Sequence, residues 1–280
     1  MRRIVIGGNW KMQITSNNEA VRIADDIAQG LSTMSNVDVF IAPSFTELYS
    51  VSKAIKDTHL MLAGQNMYYH EKGAFTGQIS VLSLKELCQF VILGHSEPRR
   101  IFGETDDLIR LKLLKALESG LTPVLCLGET AKEREGGKAQ EILHQQLAGS
   151  LKGLEINQMK EIVIAYEPVW AINNKFLNPD TKIRPATPVE ANEAHTIIRE
   201  WLNNEFGAPT AEEISIIYGG SMNAQNAKEL LNLEQIDGGL IGGASLSAEK
   251  FLPIIRIAAQ LSENQSADYR WENNTLRFDE

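Results

Sequence analysis

The 280-residue sequence has only two cysteines, Cys88 and Cys126, both among apolar neighbours. They have neither the density of a disulfide scaffold nor the spacing of a zinc site, and the expectation is a cytoplasmic protein with reduced thiols. Basic residues are the minority: 27 Lys and Arg stand against 36 Asp and Glu, for a net charge of -9. With no basic run to offset that charge, nucleic acid and anionic membrane surfaces are excluded as expected partners. Apolar residues make up 43% of the chain but never gather into the ~20-residue run of a membrane span. The start, Met1-Arg2-Arg3-Ile4-Val5-Ile6-Gly7, is too short in apolar residues for the core of a secretory signal. A glycine-rich dinucleotide fingerprint is missing after the first apolar run, and Glu97, Glu129 and Glu167 stand apart from one another. The missing fingerprint weakens an open doubly wound sheet as an alternative fold, and no metal is expected.

What is present is a recurring alternation. Short β-branched runs that end in glycine or polar residues fall at 4–8, 38–42, 59–64, 90–94, 122–128, 162–166, 214–218 and 239–242. Most lack polar alternation, as parallel strands covered on both faces do. Helical patterns fill the gaps. Ser16 to Glu19 and Ser83 to Glu86 have capping-box spacing, and Thr187 to Glu190 adds Pro188 at the first helical position. Ile109, Leu113, Leu114 and Leu117 form one apolar stripe, and His195, Ile198, Trp201 and Leu202 another. Strand then helix, eight times, predicts a single-domain α/β fold, a (β/α)8 TIM barrel over 1–262, followed by a carboxyl-terminal extension over 263–280.

Such a barrel carries its site at the carboxyl ends of its strands. Asn9 and Lys11 follow the first strand, His95 and Glu97 the fourth, Glu167 the sixth, and Gly219-Gly220-Ser221 and Gly242-Gly243 the last two. One carboxylate, one imidazole, one ammonium and two glycine turns suit proton transfer on a phosphorylated carbonyl compound. The apolar run before Glu167, with Trp170 after it, is expected to desolvate the carboxyl and raise its pKa toward a working base. A neutral His95 at a helix start can polarise a carbonyl, and Lys11 can pair with phosphate and enolate charge. Glycine after the last strand lets backbone amides face an anion. On spacing alone, Glu167 reads equally as an ion-paired strand-end acid, His95 as a hydrogen-bonded structural residue and Lys11 as a surface lysine.

The ordered segments Gly8-Asn9-Trp10-Lys11, Gln65-Asn66, Gly73-Ala74-Phe75-Thr76-Gly77, Gly94-His95-Ser96-Glu97, Phe102-Gly103-Glu104, Tyr166-Glu167-Pro168-Val169-Trp170-Ala171, Tyr218-Gly219-Gly220-Ser221 and Gly242-Gly243-Ala244-Ser245 resemble the triosephosphate isomerase family. The resemblance implies a glutamate base at Glu167, a neutral electrophile at His95, enediolate support from Asn9 and Lys11, and Glu97 orienting Lys11. It also implies that no cofactor is used, phosphate contacts from Ser221, Gly242 and Gly243, and a homodimer through the loop over 65–79, beginning at Gln65 and ending at Ile79. Two departures stand out. Pro98 replaces the family's usual arginine, and after Ile172 the lid departs from Gly-Thr-Gly and is longer, with Asn173 in the phosphate-closing place and Lys182 and Arg184 as further candidate contacts. A lengthened lid keeps open a four-carbon ketose phosphate such as L-erythrulose 1-phosphate as an alternative substrate. A non-catalytic phosphosugar-binding paralogue is the third reading.

Overall fold

Eight short strands, buried except at Asp38, Met61 and Thr122, run in parallel: Val5–Asn9 (β1), Asp38–Ala42 (β2), Met61–Gly64 (β3), Phe90–Leu93 (β4), Thr122–Leu127 (β5), Val163–Tyr166 (β6), Ser215–Tyr218 (β7) and Gly238–Ile241 (β8). Each pairs with the next, and β8 returns to β1 with Val5 opposite Gly238, which closes the barrel. The computed structural model describes residues 2–32, 34–179 and 183–275, with side chains as far as 263. Lys182 and the side chains of the carboxyl-terminal extension beyond 263, with its aromatic Tyr269, Trp271 and Phe278, therefore lie outside the described residues.

Two cores explain why the strands lack polar alternation. Val5, Phe40, Ala63, Phe90, Ile92, Val124, Val163, Ala165, Ile217 and Leu240 fill the barrel interior. The alternate positions, such as Ile6, Ile41, Val91, Leu125, Ile164 and Ile216, pack against the surrounding helices. Both faces exclude water, so both are apolar. Inside the barrel the rings of Phe40 and Phe90 stack with centroids 4.7 Å apart, and Phe40 occupies the space a side chain at position 7 would need. Glycine at position 7 is thus a packing requirement.

The helices start largely where their caps allow. Thr187 and Glu190 form a complete capping box at the start of Pro188–Phe206. Ser16 precedes Asn17–Gly30, but its side chain makes no cap bond. The box read at Ser83 is corrected: the helix is Val81–Lys85, its cap is Ser80, and Ser83 lies in its interior. Ile109 and Leu113 are fully buried on Asp106–Glu118, with Leu114 and Leu117 partly buried against the same core. The last helix, Ala248–Thr275, runs past position 262. No helix among the described residues is long and apolar enough to cross a membrane.

Candidate active site

A cavity of about 670 Å³ opens at the carboxyl ends of the strands, with Asn9, Lys11, Asn173, Ser221, Gly242 and Gly243 on its wall. Asn9 ends β1, and its Oδ1 accepts the Lys11 amide at 3.0 Å. This bond accompanies a left-handed turn at Lys11, with φ 52°, which costs a non-glycine residue about 1–2 kcal/mol. Two neighbouring segments hold the strained peptide. Gln65 Nε2 and Ser44 Oγ donate to the Lys11 carbonyl at 2.7 and 3.2 Å. The result delivers the ammonium to Glu97, with Nζ 3.0 Å from Oε1.

Glu97 lies in the first turn of Ser96–Ile101, the helix that follows β4, and His95 is its N-cap. The Glu97 amide donates to His95 Nδ1 at 3.2 Å. A ring nitrogen that accepts an amide proton carries none of its own, so the imidazole is neutral and its proton is on Nε2. That Nε2 lies 3.0 Å from Glu167 Oε1, while Ser96 N–H donates to Oε2 at 2.8 Å. Lys11, Glu97, His95, Glu167 and Ser96 thus form one continuous chain of contacts.

Glu167 follows β6 and is 2% exposed. Burial pushes its carboxyl up, while the hydrogen bonds from His95 Nε2–H and the Ser96 amide and the Lys11 charge push it down. The desolvation expected from the apolar sequence context is present, and donors that the local sequence does not show oppose it. Glu97 is likewise pushed up by burial, yet His95, Lys11 and Asn174 hold it below its ordinary value.

The glycine turns border this chain. A side chain at position 219 would press on the Glu167 stem, with Cβ 2.7 Å from its Cγ, so glycine here leaves Glu167 its room. The Lys11 stem passes 3.9 Å from the Cβ direction of Gly242. Backbone amides and an ammonium therefore border one end of the cavity, where an anion is favoured without a net basic surface.

Beyond Glu167 a single turn, Val169–Ala171, starts the lid. Trp170 Nε1 donates to the fully buried Glu129 at 2.8 Å, and the Arg134 and Arg184 guanidinium groups each lie 4.8 Å from the Trp170 ring. The longer lid then folds onto the barrel: Ile183 and Pro185 line the cavity. Arg184, a candidate phosphate contact, instead pairs with Glu190.

The triosephosphate isomerase family model matches residues 4–258. The chain belongs to the triosephosphate isomerase family. It is 43% identical to the triosephosphate isomerase of Dehalococcoides mccartyi over 92% of this chain and 98% of that relative. It is 44% identical to that of Herpetosiphon aurantiacus over 91% of this chain and 99% of the relative. The crystal structure of triosephosphate isomerase from Bartonella henselae superposes with a TM-score of 0.79 at 36% identity, covering 91% of this chain and 98% of that one. These relatives all carry the triose name, and the four-carbon alternative gains no support from them.

Among the family-like residues, the sequence reading overlooked the groups that hold the others in place. Gln65 and Ser44 fix Lys11, the Ser96 amide holds Glu167, and Glu129 anchors Trp170. Gln65 and Ser96 lie inside segments that carry the resemblance, so that signal was available. Asn174, on the departing lid, lies in no such segment.

Proposed function

We propose that this chain interconverts glyceraldehyde 3-phosphate and dihydroxyacetone phosphate through an enediolate, with Glu167 as the base. It is an intramolecular oxidoreductase of the aldose–ketose type. The observation that carries the reading is the contact of Glu167 with the neutral, Nε2-protonated His95 beside Lys11. A glutamate base paired with a neutral histidine is the established pattern of this family.

In the arrangement described, Glu167 is at rest on two donors. A substrate whose phosphate lies on the amides of the glycine turns and Ser221, with Asn173 closing over it, brings its carbonyl toward Asn9, Lys11 and His95. Swinging toward the substrate carbon removes Glu167 from the Ser96 amide and from His95 Nε2–H. The carboxylate then loses the donors that held its pKa down, so its basicity rises, and the freed Nε2–H turns to the carbonyl oxygen. Glu167 takes the proton from the carbon next to the carbonyl; the electron pair moves into a carbon–carbon double bond and onto oxygen. His95, Asn9 and Lys11 stabilise that oxyanion. Transfer of a hydroxyl proton between the two oxygens through His95, and return of the Glu167 proton to the neighbouring carbon, complete the isomerisation. Lid closure of the kind this family uses keeps water from the enediolate.

The loop over 65–79 supports a homodimer. Its rings of Tyr68, Tyr69, His70 and Phe75 contact one another, and Phe75 is 37% exposed at its tip. Met12 and Phe102, at 85% and 77% exposed, add apolar surface that a partner subunit would cover. Glycolysis in the cytoplasm is the setting proposed for the reaction, in keeping with the family and the two buried free thiols.

The test is turnover of glyceraldehyde 3-phosphate by the purified protein, coupled to reduction of dihydroxyacetone phosphate. Turnover at a family-like rate supports the reading. Binding without turnover favours the non-catalytic paralogue, and sedimentation as a monomer at micromolar concentration would remove the dimer.

A further inference from the structure

We propose that Asn174, in the lengthened lid, is a positioning residue that holds Glu97 against Lys11 and so sets where the ammonium meets the substrate. This rests on the isomerase reading of the site. Asn174 Nδ2 donates at 2.9 Å to Glu97 Oε1, the same oxygen that takes the Lys11 ammonium at 3.0 Å. The lid thus touches the catalytic chain at Glu97, 77 positions away in sequence.

The orientation of the Asn174 amide follows from its partners. Its Oδ1 accepts the Phe176 amide at 2.8 Å, and a flipped side chain would set oxygen against the Glu97 carboxylate and NH2 against an N–H. Nδ2 therefore faces Glu97. The turn around it is held separately. The Leu177 and Asn178 amides donate to the Asn174 carbonyl at 3.1 and 2.9 Å, and the buried Asn178 side chain donates to the Val169 and Ile172 carbonyls at 2.7 and 2.9 Å. The fold of the turn does not require the Nδ2 bond. That bond is an output of the turn, delivered to Glu97.

This division makes the role separable. Asn174→Asp keeps an acceptor for the Phe176 amide but replaces the donor facing Glu97 with negative charge; Asn174→Ala removes both. A bond from a neutral donor to a carboxylate is worth roughly tenfold, so Asn174→Asp is expected to lower kcat/KM for glyceraldehyde 3-phosphate about tenfold or more with an unchanged melting temperature. The loss should fall mainly on kcat, because the ammonium acts on the charge that develops on the enediolate oxygen after the substrate is bound. Asn174→Ala should lose less activity than Asn174→Asp. A turn that only folds the lid predicts the reverse order, with a lower melting temperature for the alanine variant.

The decisive readout is a double-mutant cycle. In a Glu97→Gln background, Asn174→Asp should change kcat/KM by less than about twofold, since its route to Lys11 is already cut. The full tenfold loss in that background overturns the proposal. Failure of the unaltered protein to turn over substrate would count against the isomerase reading instead. The placement is then read from the Glu97 carboxyl, followed by carbon NMR against pH, with Lys11 and His95 as the other groups facing it. Asn174→Asp should raise that titration, and an unmoved midpoint would contradict the contact.

Discussion

At the amino-terminal end of the barrel, Asp237 is shared by two guanidinium groups, Arg2 Nε and Arg199 Nη2, each at 2.7 Å, and also accepts the Ile216 amide. At the carboxyl end, Glu167 rests on a neutral imidazole and one backbone amide, with the buried Cys126 thiol beside it. The first carboxylate is closed in by fixed partners on every side. Burial nevertheless pushes Asp237 above its usual range despite the two arginines, the mark of an ion cluster that costs much to desolvate. The second rests on donors that a substrate can take over. One end spends its polar groups on holding strands and helices together; the other keeps them exchangeable and tolerates a strained Lys11 beside them. A buried charge alone therefore does not mark a catalytic residue. What distinguishes the two is whether its partners can be replaced without unfolding the barrel.

The sharpest way to break this comparison is to neutralise each carboxylate in turn. Glu167→Gln should cut turnover by ~10²- to 10⁴-fold, the range for a lost general base, while the melting temperature stays close to that of the parent. Activity within a few-fold of wild type would return Glu167 to a structural role. Asp237→Asn should do the opposite: unfolding in urea should show a loss of about 3 kcal/mol, because Arg199 is left buried without its paired carboxylate and Arg2 keeps only Glu212. Its kcat/KM, measured well below the melting temperature, should be nearly unchanged.

The comparison extends to pH through His195, which is fully buried, with Nδ1 3.0 Å from the Gln235 carbonyl. Burial, assisted by the Arg199 charge, depresses its pKa to about 3. The unfolded chain takes up the proton near 6.5 and the folded chain resists until about 3. The stability contributed by this neutral imidazole is complete above pH 6.5 and is lost as pH falls toward 3, by up to about 1.4 kcal/mol per pH unit. Urea melts at pH 7 and pH 5 should show that slope, and His195→Gln should flatten it. The smallest effect concerns the support of Lys11. Gln65→Ala removes donors to the Lys11 and Ala42 carbonyls and should lower kcat/KM about threefold to tenfold. An unchanged value would mean that Asn9 and Ser44 suffice to hold the strained turn.

All eight strands were legible within two residues, because runs buried on both faces and stopped by glycine or polar groups leave a plain pattern. The helix at Val81 was read three residues late, since Ser80 and Ser83 both suit a cap and only the fold decides between them. The residues at the strand ends could be named because the barrel places every strand end at one mouth. The donors that oppose burial at Glu167 were not legible. They are an imidazole and an amide that approach from β4, more than 70 positions away, while the local sequence shows only the apolar wall. Asn174 escaped notice for a similar reason: its partner is remote, and the lengthened lid follows no family pattern.

The central claim is proton abstraction by Glu167, and isomerisation of glyceraldehyde 3-phosphate in D2O tests it most directly. A base that exchanges its proton with solvent predicts deuterium in the dihydroxyacetone phosphate formed, on the carbon that gains hydrogen, with label and turnover falling together in Glu167→Gln. Rapid turnover that yields wholly unlabelled product, or label that persists at the wild-type rate in Glu167→Gln, would contradict it.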